Sequence, residues 1–230
     1  MKYIIIGLGN FGSSLAQKLT ELGNEVIGID SNMVKVDAYK EKISHTICMD
    51  ATDEFTVSGL PLKQTDIVVV AIGEKRGANI MTTALFKNLG AKRLISRALN
   101  PLHVKVLQAI GVEEILHPEE ESAERWAKKL SLNNVVDSFE LNEDYSIIEA
   151  KLPEEYVGKS VESINFRKKF NLLILTTMKQ MEVTSILGKT VIENKIQEVV
   201  SRDTILEKND ILVLYGHNRD LRNFLKQKIG

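Results

Sequence analysis

The residues with the plainest chemistry lie close to the N-terminus. Gly7-Leu8-Gly9-Asn10-Phe11-Gly12 spells G-x-G-x-x-G. An apolar run, residues 3–6, precedes it, and Phe11, Leu15, Leu19 and Leu22 follow at helical spacing. Between a strand and a helix, the first glycine permits the tight turn and the second lets backbone approach a pyrophosphate. The third lets helix and strand pack closely. The helix start then offers unpaired N–H groups and partial positive charge to the phosphates. Asp30 closes the next apolar run, eighteen residues past Gly12. A carboxylate there accepts hydrogen bonds from ribose hydroxyls and repels a 2′-phosphate, which favours NAD(H) or an adenosine phosphate over NADP.

Other polar groups fall where the same ligand would reach them. Asp50-Ala51-Thr52 follows the third apolar run. It reads equally as an adenine contact and as a helix cap for the segment beginning at Asp53. Ala71-Ile72-Gly73 leaves the fourth run, with Gly73 allowing backbone contact, and Lys75-Arg76 reads as a solvated loop. Arg97 ends the fifth run and suits either a phosphate or a salt bridge at the rim. The candidate contact set is Gly7, Leu8, Gly9, Asn10, Phe11, Gly12, Asp30, Ser31, Asp50, Ala51, Thr52, Ala71, Ile72, Gly73, Asn79 and Arg97.

These positions require a scaffold, and the pattern supplies one. Residues 3–6, 25–29, 45–49, 67–72, 93–96 and 114–116 read as short buried strands. Helical patterns separate them. Ser31 or Asn32 caps one carrying Val34 and Val36, another carries Ile80, Ala84 and Leu85, and Pro101 opens one that ends at Gly111. This alternation specifies an α/β Rossmann-like, doubly wound parallel sheet over residues 1–118. The rhythm then changes. Residues 119–132 form a polar helix with Ala123, Trp126, Ala127 and Leu130 on one stripe. We assign 119–143 to a connecting helix and linker, the boundary falling near 133–143. Residues 144–230 form a smaller α+β domain, with strands at 146–152, 171–178, 180–187 and 211–215 and a short helix pattern near 160–170. Asn209-Asp210 reads as a turn.

Composition narrows the function classes. The 230 residues carry 30 basic and 31 acidic side chains, a net charge of −1. That balance argues against neutralising nucleic-acid phosphates or clinging to a membrane by charge. The run at 67–72 is strand-sized, far short of the roughly 20 residues a bilayer span needs. A single cysteine, Cys48, forms no intramolecular disulfide and suits a reducing compartment; in a buried strand it reads as a small apolar filler. The histidines His45, His103, His117 and His217 are scattered, with no pair at metal-ligand spacing. Gly158-Lys159-Ser160 and Gly188-Lys189-Thr190 lack the leading glycine of a Walker loop and read as turns. Glu119, Glu120, Glu121 and Glu124 suit a divalent cation at an interface or, more simply, a helix N-terminus. A binding site is legible and catalytic groups are not, so a non-enzymatic binder leads over an NAD-dependent oxidoreductase with an unrecognised substrate site.

Taken in order, these segments resemble the RCK (TrkA-N/TrkA-C) regulatory subunits of Trk/Ktr-type potassium uptake systems. The resemblance is carried by the run from Tyr3 to Gly12, Gly28-Ile29-Asp30, Asp50-Ala51-Thr52, Val70-Ala71-Ile72-Gly73 and Ile110-Gly111-Val112-Glu113 leading to His117-Pro118-Glu119. It continues through Val157-Gly158-Lys159-Ser160, Asn165-Phe166-Arg167 and Lys208-Asn209-Asp210-Ile211-Leu212-Val213-Leu214. It implies a cytoplasmic subunit, dimeric through the connecting helix, assembling into an octameric ring under a membrane potassium-translocating subunit. It further implies gating by ATP, ADP, AMP, NAD+ or NADH. Ktr-type members often carry arginine in place of Asn10, where it supports the γ-phosphate of ATP; Asn10 removes that charge and gives weight to NAD(H), ADP or AMP. Arg167 and Asn171 resemble positions at which some members bind cyclic di-AMP.

Overall fold

The computed structural model describes residues 1–74, 76–131, 134–184 and 190–226. Lys75, residues 132–133 of the expected linker, the strand end at 185–187 and Gly188-Lys189 lie outside the described residues. The chain divides into two compact units, Met1–Glu120 and Glu121–Gly230.

In the first unit the elements run β1 (Lys2–Ile6), α1 (Asn10–Glu21), β2 (Glu25–Asp30), α2 (Met33–Tyr39), β3 (His45–Cys48), α3 (Glu54–Val57), β4 (Ile67–Val70), α4 (Arg76–Asn88), β5 (Leu94–Arg97), α5 (Pro101–Ile110) and β6 (Glu114–Leu116). All six strands are parallel, in the order β3-β2-β1-β4-β5-β6. This is the doubly wound dinucleotide-binding order, reversing direction between β1 and β4. The apolar runs are continuous because both faces of the sheet are covered. Ile4, Ile6, Val68 and Val70 pack into one core, while Ile5, Ile67 and Val69 pack into the other. Burying each such side chain contributes roughly 1.5–3 kcal/mol before entropy is counted. At the sheet's edge the pattern weakens. Cys48, expected in a buried strand, is exposed, because β3 has a neighbour on one side only.

The helix α6 (Pro118–Ser131) follows directly and leads into the second unit. That unit contains β7 (Val135–Glu140), β8 (Tyr145–Lys151), α7 (Val161–Ile164), α8 (Phe166–Phe170), β9 (Leu173–Thr184), β10 (Thr190–Val199), β11 (Ile211–His217) and α9 (Asn218–Leu225). Its sheet is antiparallel, ordered β10-β9-β11-β8-β7. The expected linker therefore needs correcting: residues 135–140 pair with β8 as an edge strand. The expected strands at 171–178 and 180–187 are one strand, β9, which pairs with β10, a stretch no sequence pattern marked. Its polar run Glu193-Asn194-Lys195 lacks the apolar alternation that marks a half-buried strand.

The helical stretch near 160–170 is split by Asn165, whose left-handed backbone ends α7 and begins α8. Gly158 is also left-handed and Ser160 caps α7, so the first Walker-like tail is indeed a turn. Phe166, Phe170, Phe224 and Tyr156 form an aromatic cluster with ring centroids 5.3–6.5 Å apart, placed beneath Leu212 and Leu214 of β11. Arg125 of α6 grips both carboxylate oxygens of Asp137 on β7. That hydrogen bond and charge hold the Asp137 carboxyl below its usual range. Burial and the neighbouring Asp137 charge push Glu149 up.

Candidate nucleotide-binding crevice

The carboxyl ends of the parallel strands converge on a crevice of about 790 Å³. Its floor is the turn after β1. Gly7 adopts φ +95°, and a Cβ there would press within 3.1 Å of Ile72. Gly12 lies inside α1, buried against the turn it follows; a Cβ on it would overlap the Gly7 carbonyl oxygen and meet Ala71 Cβ at 3.0 Å. Gly12 therefore packs helix on strand and is absent from the crevice lining. The first turn of α1 has no side-chain cap and no acidic residue, so its N–H groups and positive end face the crevice uncompensated from within.

Asp30 performs two tasks at the end of β2. One carboxylate oxygen accepts from the Leu8 N–H at 2.8 Å and the other from the Asn32 N–H at 2.9 Å. This braces the glycine turn, while each oxygen keeps a lone pair for a ribose hydroxyl. Of the two readings of Asp50-Ala51-Thr52, the helix cap falls one residue later. Asp53 is the cap of α3, accepting from Phe55 N–H. Asp50 turns the loop by accepting from both the N–H and the hydroxyl of Thr52, and all three of Asp50, Ala51 and Thr52 line the crevice. Asn10, Phe11, Ser31, Ala71, Ile72 and Gly73 also line it.

Two expected contacts behave differently. Asn79 is fully buried and does not line the crevice. Its amide donates to the carbonyls of Ile72 and Arg97 at 2.9 and 3.2 Å and accepts from Ser96 Oγ, so it ties the ends of β4 and β5 together. Arg97 does line the crevice, yet its guanidinium forms an ion pair with Glu119 in the first turn of α6. Glu119 is thus committed to Arg97 rather than being an uncommitted helix acid. Among the described residues no three metal-ligating side chains converge.

Sequence reasoning missed α2's contribution. Val34, Lys35, Ala38 and Tyr39 line the crevice. Their i, i+4 spacing just after Asp30 was the available signal. Of the histidines, His103 is 4% exposed, and its pKa is lowered by burial and then by Arg76. His217 caps α9 through Nδ1. None lines the crevice.

In the second unit Arg167 and Asn171 line one cavity of about 320 Å³ with Tyr145, Leu172, Leu173, Tyr215, Gly216 and His217. Asn171 donates to Asp220 at 2.9 Å, which holds that carboxyl below its usual range.

Comparison with known proteins agrees with this geometry. The TrkA-N domain model matches residues 3–118. The chain is 34% identical to Ktr system potassium uptake protein C of Bacillus subtilis (strain 168) over 226 residues, 98% of this chain and 96% of that protein. It belongs to the TrkA-N family, among the Ktr potassium uptake proteins. Ktr system potassium uptake protein A of the same organism is 31% identical over 97% of this chain and 95% of its own length. Among solved structures, the GsuK RCK domain superposes with a TM-score of 0.64 at 16% identity, covering all of this chain and 48% of that one. The GsuK channel bound to NAD gives 0.62 at 18% identity, covering all of this chain and 40% of that one. This chain thus spans about half the length of the solved chain it matches. These structural likenesses establish the shared RCK fold.

Proposed function

We propose that this family member is a cytoplasmic regulatory subunit whose crevice binds an adenine nucleotide and thereby gates a membrane potassium-translocating partner. The observation that carries the reading is the pairing of Asp30 with an uncapped α1 N-terminus across the glycine turn. One end is suited to a ribose and the other to phosphate, and none of the four histidines lines the crevice between them. Potassium uptake is the role named for the Ktr relatives, and a bound NAD is named for one structural neighbour. NAD(H), ADP, AMP and ATP all suit the crevice. Asn10, uncharged, favours the first three over a dedicated ATP switch. No helix among the described residues is long and apolar enough to cross a membrane; in this reading the pore belongs to the partner.

Gating follows from unequal affinity of the ligand for two conformations of the assembly. The exposed side chains of Trp126 and Leu130 on α6 supply a surface for a homodimer, and four such dimers make the octameric ring. Cyclic di-AMP at Arg167 and Asn171 is a second reading, favoured because both line a single cavity. The deciding experiment is potassium flux in proteoliposomes carrying a Ktr-type membrane subunit. Flux is expected to change when this chain and a nucleotide are added together, and to lose that dependence with Asp30→Ala. Hydride transfer to a substrate, or flux indifferent to nucleotide, would refute the reading.

A further inference from the structure

The even charge balance of the whole chain, 30 basic side chains against 31 acidic, conceals an uneven distribution. In the second unit α8 and α9 spend their apolar sides on one core. Phe166, Phe170, Leu221 and Phe224 pack there with Leu212 and Leu214 of β11. The two helices touch each other on the same face of the antiparallel sheet, and the Asn171 amide after α8 donates to Asp220 of α9 at 2.9 Å. What they leave outside is cationic. Arg167, Lys168 and Lys169 of α8 are exposed, as are Arg219 and Arg222 of α9 and Lys226 at its end. Arg219, Arg222 and Lys226 follow i, i+3 and i+7, one stripe of a helix. The single acid in the two helices, Asp220, is 13% exposed and engaged by Asn171 and Arg219.

Some of these cations are already committed. Lys169 donates to the Tyr156 hydroxyl at 2.9 Å, and Arg167 lines the cavity beside Asn171. Lys168, Arg222 and Lys226 have no ion-pair partner among the described residues. Like charges gathered in this way repel one another, and an anionic counter-surface relieves that repulsion. The arrangement also says which kind of surface. Four to eight Lys and Arg on an amphipathic helix are the pattern that anionic headgroups attract. A nucleic acid suits the face less well, because the rings able to stack on bases, Phe166, Phe170 and Phe224, are turned into the core. The apolar side of α9 is likewise spent on the core, so it is not available to enter the acyl region, and attachment rests on charge alone.

We propose that the outer face of α8 and α9 docks on a bilayer surface bearing anionic headgroups, with Lys168, Arg222 and Lys226 as its uncommitted contacts. This goes beyond the nucleotide reading and uses neither the crevice nor the pore. The bilayer it meets is the one in which the proposed partner sits. Contact of this kind is reversible and weakens as salt shortens the reach of charge, from about 8 Å at 0.15 M to about 3 Å at 1 M.

The test is co-sedimentation of the full chain with vesicles, without nucleotide or partner subunit. One set is phosphatidylcholine alone and the other equal parts phosphatidylcholine and phosphatidylglycerol. Three proteins are compared: wild type, Lys168→Glu with Arg222→Glu, and Lys63→Glu with Lys92→Glu. The last pair is exposed in the first unit and changes the net charge equally. All four side chains are exposed, so both variants are expected to keep the wild-type circular dichroism spectrum. Each cation near an anionic surface corresponds to about a fivefold change in partitioning. Wild type should bind the mixed vesicles and not phosphatidylcholine, and should be released by 1 M salt. Reversing Lys168 and Arg222 should weaken that binding by about 25-fold or more, and reversing Lys63 and Lys92 by about twofold at most. Wild type that ignores the mixed vesicles, or binds both sets alike, overturns the proposal. So does equal weakening by the two variants, or capture of single-stranded RNA in place of vesicles. Because nucleotide and partner are absent, none of these outcomes bears on the crevice, whose failure would show in the flux assay instead.

Discussion

Asp30→Ala removes a brace and a ligand contact in one step. The carboxylate accepts from the Leu8 N–H at 2.8 Å, and Leu8 is 2% exposed. Water cannot readily replace that bond, so the orphaned N–H costs about 1–3 kcal/mol. The second bond, to the exposed Asn32 N–H, is replaced by solvent at little cost. For the ligand, loss of charged acceptors for the ribose hydroxyls removes about 1.5–3 kcal/mol, or roughly 10- to 150-fold in affinity. Calorimetry with ADP and NAD+ reads the second effect. Amide hydrogen exchange at Leu8 reads the first, and its exchange should quicken. Asp30→Asn keeps one acceptor oxygen and should fall between. If Asp30→Ala binds both ligands as wild type does and Leu8 exchange is unchanged, Asp30 neither braces the turn nor holds a ribose.

Three further outcomes are expected. Gly12→Val drives side-chain carbons into the Gly7 carbonyl, costing roughly 1–3 kcal/mol as an overpacked site and abolishing nucleotide binding in the same calorimetric assay. Asn79→Leu strands the carbonyls of Ile72 and Arg97, and should lower stability by about 1–3 kcal/mol in urea melts. Because it holds no ligand itself, affinity at the glycine turn should fall far less than for Asp30→Ala. Asp137 is held below its usual range by Arg125, so the folded state gives up that proton more readily than the unfolded chain does. The pair's stabilisation is then complete above the ordinary value of 3.8 and fades as pH falls through the lowered folded value. Asp137→Asn should lower the melting temperature at neutral pH, and the difference should shrink as the pH is taken below 3.8; a difference that does not shrink with falling pH would contradict the assignment.

Legibility followed burial. The parallel sheet was readable strand by strand because its runs are apolar on both faces, as in Ile67-Val68-Val69-Val70. The crevice was readable where backbone geometry dictates residue type, as at Gly7 and Asp30. It was not readable where a residue's role depends on an element distant in sequence. Asn79 looks like any helical asparagine until β4 and β5 bring two carbonyls to it. Glu119 looks like an ordinary first-turn acid until the end of β5 places Arg97 opposite. In the second unit the polar strands failed for the opposite reason. β7 and β10 are the two edges of their sheet, so neither needs the apolar alternation that betrays a strand.

The central claim is that this crevice binds an adenine nucleotide as an effector. The most direct measurement is thermal unfolding of the full chain with AMP, ADP, ATP, NAD+ and NADH, repeated on Asp30→Ala. A ligand present at 100 times its dissociation constant should stabilise the wild type by about 2.7 kcal/mol. At least one of the five is expected to do so, and Asp30→Ala is expected to lose most of the shift. Wild-type unfolding indifferent to all five would contradict it.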